Sequence, residues 1–253
     1  MPTAAELARS APADALPALL HNASDDVLFA LLENPRLDLS HLEILLKRKD
    51  LSSRLLEEIS RHKKWLAEYS VRRALALHPH TPRLIAMRVL RQLYLMDVVQ
   101  ASVLPSVPAE LRRIADELLV ARLPQLPLGQ KLTLARRASA RVAGALLAEG
   151  HDRVARIALE NTFLTEAQVL RALASAKLPA RVVEAVARHG KWSARAEVHL
   201  ALLRHPQMPL ALRLTFLQEL PLRALETLAD TSSLPANLRK YFRAELSRRR
   251  SRP

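Results

Sequence analysis

Apolar positions along this chain recur at intervals of three and four residues. Leu39, Leu42, Leu45 and Leu46 form one stripe, Leu51, Leu55, Leu56 and Ile59 a second, and Leu178, Val182, Val183 and Val186 a third. Ile85, Val89 and Leu93 continue the series, as do Leu212, Phe216 and Leu220. Leu111, Ile114 and Leu118 form a further set, and Leu238, Tyr241, Phe242 and Leu246 the last. A helical period puts each set on one face of a short helix, and that face must be covered by neighbouring helices. Sixteen prolines cut the chain often, so the helices are short. Few segments show the alternating, β-branched pattern of a strand. The pattern predicts an all-α protein.

The pattern also repeats. Set against itself with an offset of 127 and no gap, Leu16–Leu126 pairs with Ala143–Pro253, and 34 of the 111 pairs are identical. Arg61, His62, Lys64 and Trp65 meet Arg188, His189, Lys191 and Trp192, so the only two tryptophans fall in register. The segment LEN at Leu32–Asn34 meets Leu159–Asn161, and His78, Pro79 and Pro82 meet His205, Pro206 and Pro209. Such self-similarity reads as a tandem duplication of about 127 residues. Within each copy the helix ends at Asn34 and His78, and at Asn161 and His205, recur 44 residues apart. A proline is tolerated in the first turn of a helix and breaks its interior, so the Pro-x-x-Pro after each His reads as a stop and a restart. The stretch LPQLPLGQ, Leu123–Gln130, is the best break between copies. The expected organisation is residues 1–126 as a first half, 127–246 as a second half continuous with it, and 247–253 as a basic disordered tail.

Val71–Pro82, VRRALALHPHTP, and Val198–Pro209, VHLALLRHPQMP, resemble the leucine-rich-repeat-variant pattern, in which a helix runs into an Asn-Pro-x-Thr-Pro turn. Here His78 and His205 stand where that family has Asn, and the cysteine cluster of some of its members is absent. More broadly the chain resembles bacterial HEAT-like α-solenoids. The resemblance implies a superhelix of short antiparallel helices, a binding role and no cofactor.

Net charge is +14, of which the last 15 residues supply +6, from seven Lys/Arg against one Glu. A basic protein favours polyanions such as nucleic acid. Of the 39 basic residues 31 are Arg, as arginine-rich coding bias alone would also produce. The absence of cysteine excludes disulfides, thiolate metal sites and a Cys nucleophile. No stretch approaches the roughly 20 apolar residues that span a bilayer. The opening MPTAAELARSAPADALPALL lacks the basic start and unbroken apolar run of a signal peptide. A cytoplasmic location is expected.

Four scattered glycines cannot build a phosphate loop, and neither a G-x-S-x-G elbow nor an H-E-x-x-H helix occurs. His78 and His80 offer metal-ligand spacing, but the second copy has Gln207 for the second ligand; both His78 and His205 read better as helix-end residues. Asn34 and Asn161 read as helix caps. Glu33, Glu57, Glu160 and Glu184 recur in both copies, 24 residues apart within each, as solvated or capping carboxylates. Trp65 and Trp192, after basic residues at a helix start, are either wedges between helices or stacking faces beside phosphate-binding Lys and Arg. Arg54 and Arg181, Arg61 and Arg188, Arg112 and Arg239, and Arg122 and Arg249 are matched pairs that would line one ridge of a solenoid.

The function these features point to is a non-enzymatic scaffold presenting a basic surface to an acidic macromolecule, whether nucleic acid, ribonucleoprotein or acidic protein. Candidate contacts are Arg61, Lys64, Trp65, Arg72, Arg73, Arg112, Arg188, Lys191, Trp192, Arg239, Arg248, Arg249 and Arg250. No catalytic residue, metal ligand or cofactor site is assigned. The HEAT-like resemblance implies an alternative, a DNA glycosylase-type enzyme, for which Trp65, Glu68, Arg72 and Arg73 would be the residues. A purely protein–protein adaptor is the third reading.

Overall fold

The computed structural model describes residues 3–22, 24–229 and 236–250, which are all-helical and contain no strand. They divide into two compact units, the first ending at Gln125 and the second beginning at Leu126.

In the first unit the helices are α1 (Ala4–Ser10), α2 (Leu16–Leu19), α3 (Asp25–Leu32), α4 (Leu39–Lys47) and α5 (Ser53–Arg61), then α6 (Lys63–Ala67), α7 (Tyr69–Leu77), α8 (Arg83–Leu90), α9 (Leu95–Val103) and α10 (Ala109–Arg122). The second unit holds α11 (Leu128–Arg137), α12 (Ala140–Glu149), α13 (Asp152–Leu159), α14 (Glu166–Leu173) and α15 (Ala180–Arg188), then α16 (Gly190–Ser193), α17 (Ala196–Arg204), α18 (Leu210–Glu219), α19 (Leu222–Ala229) and α20 (Ala236–Arg250). Adding 127 to the bounds of α5 and α7 gives those of α15 and α17.

Local chemistry sets the helix lengths. Asp38, Ser52 and Ser139 each accept a hydrogen bond from a first-turn N–H, which caps α4, α5 and α12. Pro82 and Pro209 stand at the N-caps of α8 and α18, each following a Pro that lies beyond the preceding helix. Gly150 closes α12 in the left-handed region at φ 87°.

Packing is between near neighbours in each unit. In the first, α3 packs on α1 and on α5, and α7 packs on α4 and α8. In the second, α13 packs on α11 and α15, and α14 on α12 and α17. The apolar stripes supply the core: Leu51, Leu55, Leu56 and Ile59 are buried, and so are Leu178, Val182, Val183 and Val186. The stripe on α10 is rotated from the expected one, since Leu111, Ala115 and Leu119 are buried while Ile114 and Leu118 are half-buried.

On α20 Phe242 is fully buried and Tyr241 exposed. The expected disordered tail begins within this helix. Ser247–Arg250 form its last turn, and Arg249 donates to the carbonyls of Leu217 (through Nη2) and of Leu220 (through Nη1, 2.6 Å), while residues 251–253, with Arg252, lie outside the described residues. The ordering follows from Phe242 packing inward and from Glu245 pairing with Arg248 and Arg249 at 3.1 and 2.9 Å. Among the described residues no helix is long and apolar enough to cross a membrane.

Candidate functional site

Most of the predicted binding residues are engaged within their own unit. Trp65 and Trp192 are 6% and 2% accessible, so neither ring is a stacking face, and the wedge reading is the one that fits. The indole N–H of Trp192 donates to the carbonyl of Leu159 at 2.8 Å. Lys64 and Lys191 cover the outer faces of these rings, their ammonium nitrogens 4.7 and 4.2 Å from the centroids. Each Trp–Lys pair is a capped wedge between helices.

Several predicted arginines are occupied within the fold. Arg61 pairs with Glu57 at 2.8 Å and Glu58 at 3.1 Å, and Arg188 pairs with Glu184 at 2.8 Å. Arg73 donates to Asp97 at 2.6 Å and to Gln100 at 2.7 Å. Arg72 lies over the Tyr69 ring, 5.8 Å from its centroid. Arg112 and Arg239, 127 residues apart, are both half-buried, each with Nε sealed from water and without a hydrogen-bond partner. Arg250 pairs with Glu226. Of the four residues considered for a glycosylase-type centre, Trp65 is buried and Arg73 is held by Asp97, so they present no shared exposed cluster.

His78 and Asn34 are helix-end residues of a kind the sequence does not announce: each serves the end of a different helix. The Nε2 of His78 lies 2.7 Å from the carbonyl oxygen of Arg48, just after α4, and its Nδ1 accepts from the backbone N–H of His80 at 3.1 Å. His205 repeats this with the carbonyl of Ser175 at 3.0 Å and the N–H of Gln207 at 3.1 Å. Asn34 Nδ2 donates to the carbonyls of Ala8 and Ala11 at 2.9 and 3.1 Å, and Asn161 Nδ2 to those of Ala135 and Ala138 at 2.8 and 3.0 Å. Both ring nitrogens of His78 are thus engaged, which leaves none for a metal. Among the described residues no group of three or more His, Asp or Glu is placed to hold an ion.

Two grooves gather cations. In the second unit, an open groove of about 610 Å³ is lined by Arg156, Arg188 and His189 together with Glu160 and Glu184. Its arginines are neutralised locally, because Arg156 donates to Asp152 at 3.1 Å and Arg188 pairs with Glu184 at 2.8 Å. In the first unit, a groove of about 430 Å³ is walled by α5, α6 and α8, and Arg61, Lys63 and Arg88 face a single carboxylate, Glu57. Lys63 stands where the second unit has Gly190, which supplies the extra cation. Neither Lys63 nor Arg88 forms an ion pair among the described residues. Leu84, one turn before Arg88 on α8, is 80% exposed.

Sequence reasoning found Arg61 and missed its two companions. Lys63 sits inside the basic run RHKKW and was legible there. Arg88 carried no signal, because only the fold brings α8 to the groove beside the end of α5 and α6. No family model matches the chain, and no curated protein or solved structure matches it either.

Proposed function

We propose that this protein is a non-enzymatic α-solenoid scaffold of the HEAT-like kind, built from a tandem duplication of about 127 residues, whose first half binds an acidic macromolecule through the groove of Arg61, Lys63 and Arg88. The observation that carries the reading is that groove's composition, three cations against Glu57, two of them without an ion pair among the described residues. The duplication is supported by identical side-chain hydrogen bonds at positions 127 apart, and the solenoid by near-neighbour helix packing in each unit. Unpaired cations along a groove suit phosphates or clustered carboxylates, and their counterion release makes binding steeply salt-dependent.

The test is fluorescence anisotropy of labelled duplex DNA and RNA over a salt series, with the full chain and with Lys63→Glu/Arg88→Glu. Nucleic-acid binding predicts a log–log salt slope that becomes shallower by about 2 in the variant. A wild-type chain that binds neither polymer at near-physiological salt, or a variant that binds identically, removes this groove as a nucleic-acid site. The exposed Leu84 favours a second reading, an acidic protein face with an apolar contact beside its carboxylates. In that case the nucleic acids fail to bind, and a partner captured by the wild type is lost by both the charge variant and Leu84→Ser.

A further inference from the structure

In the first unit, the rings of Tyr69 and Tyr94 stack with centroids 4.3 Å apart. The Tyr69 hydroxyl donates to Asp97 and accepts the backbone N–H of Tyr94 at 3.1 Å. The residues 127 positions later are Ala196 and Pro221. Neither has an aromatic ring to place there, and in the second unit an open groove of about 500 Å³ is lined by Ser193, Ala196, His199, Phe216, Leu220 and Pro221.

The wall of this groove is aromatic where its counterpart is not. The His199 ring stacks on Phe216, centroids 4.4 Å apart and planes 23° apart, whereas the corresponding first-unit residues are Arg72 and Val89. Phe216 and Leu220 are buried, so the groove is held by side chains that are already packed. His199 Nε2 lies 3.1 Å from the carbonyl oxygen of Phe216. A carbonyl only accepts, so Nε2 carries a proton, and in the neutral ring Nδ1 then offers a lone pair. No Asp, Glu, Lys or Arg is among the lining residues, which disfavours an ionic ligand. The volume lies in the range of small-molecule sites, which combine apolar walls with a few polar groups.

We propose that this groove binds a neutral aromatic ring bearing a hydrogen-bond donor, a phenol of the tyrosine type, laid against the His199–Phe216 pair with its O–H donated to His199 Nδ1. The ligand takes the place that Tyr69 and Tyr94 fill for themselves in the first unit. This goes beyond the scaffold reading and does not depend on the basic groove, which lies in the other unit.

The test is a titration of the full chain, with imidazole and methyl resonances followed by NMR, using p-cresol and separately N-acetyltyrosinamide. Saturable one-to-one binding with a dissociation constant on the order of 1 mM is expected for a probe this small. The shifts centre on His199. Ala196→Tyr/Pro221→Tyr, both at exposed positions, restores the first unit's tyrosine pair and weakens binding at least about 10-fold by filling the groove itself. Ala196→Tyr alone serves as a second variant if the double one loses its fold by circular dichroism. Tighter binding of the tyrosine amide supports the proposal and assigns the ring to a partner's side chain. Binding of p-cresol alone supports it and assigns a free small molecule. No saturable shift with either probe, or equal binding by the self-filled variants, overturns it.

Discussion

The imidazole of His78 closes the end of α4 by donating from Nε2 to the carbonyl oxygen of Arg48, 2.7 Å away and thirty residues back in the chain. Its Nδ1 accepts the N–H of His80, so one side chain satisfies a helix C-terminus and the turn that follows α7. Asn34 performs the same two tasks, donating to Ala8 and Ala11 and accepting the N–H of Arg36 at 2.9 Å. The two residue types share what the position needs: a donor at one end and an acceptor near the backbone.

Removing that clip is costly. His78→Ala leaves the Arg48 carbonyl and the His80 N–H unpaired near a buried site, and a loss of about 2–3 kcal/mol is expected. His78→Asn keeps a donor and an acceptor and recovers at least half of it. Urea unfolding of the three proteins measures both. An alanine variant as stable as the wild type would show that the clip carries no net stability.

The same residue makes stability pH-dependent. Burial lowers the pKa of His78 below its ordinary 6.5, the bond to the Arg48 carbonyl opposing this only in part. The folded value therefore lies below the unfolded one, so the contribution is complete above about pH 6.5 and is lost as pH falls through the folded value. Protonation at Nδ1 also removes the acceptor for His80 N–H. Asp38 and Asp50 are held down to about 2, chiefly by the Ser40 hydroxyl and the Arg48 guanidinium, so their losses begin only below about pH 4. Unfolding curves at about pH 7.5 and pH 5 should show a drop in the wild type that His78→Asn reduces. An identical drop in both would assign the acid sensitivity elsewhere.

Trp192 and Trp65 differ in one bond. Trp192→Phe keeps most of the packing but leaves the Leu159 carbonyl without its donor, at an expected cost of about 1–2 kcal/mol. Because both rings are buried, acrylamide should quench either poorly, and added single-stranded DNA should leave the tryptophan emission unchanged. Strong quenching by DNA would restore the stacking role that the burial of the rings removes.

What could be read from the chain follows the physics. The stripes at Leu51–Ile59 and Leu178–Val186 were legible because helical period and burial are local properties of the sequence, and the Pro-x-x-Pro breaks were legible because proline acts on its own turn. The face of α10 was not, since Ile114 and Leu118 compete with Ala115 and Leu119 for one helix surface and the neighbours decide. The clips were half legible: Asn34 and His78 mark helix ends, but the carbonyls they serve lie 23 to 30 residues away and are chosen by packing. Arg61 is plain in the sequence, yet its groove partner Arg88 has no motif of its own.

Gly150 is the one described residue with positive φ, and it ends α12. An added Cβ would meet Pro179 Cδ at 2.7 Å, a contact that only a shift of the backbone near α15 relieves. Gly150→Ala adds that clash to the left-handed penalty of about 1–2 kcal/mol, and the melting temperature should fall accordingly. Gly129→Ala, with nothing within 4 Å of the new Cβ, is the control and should match the wild type or exceed it slightly.

The last helix separates a structural end from a solubilising one. Phe242 is fully buried, so Phe242→Ala should cost about 3–5 kcal/mol by lost burial and the cavity left behind. Arg250→Ala breaks only an exposed pair with Glu226 and should change stability by less than about 0.5 kcal/mol. Chemical denaturation of the two variants reads the contrast directly. If Phe242→Ala is as neutral as Arg250→Ala, α20 contributes nothing to the folded core, and the basic residues at its end are free to act as an arm. If it is costly, deleting the C-terminal residues removes a part of the fold, and any loss of polyanion binding in such a deletion reports on folding before it reports on charge.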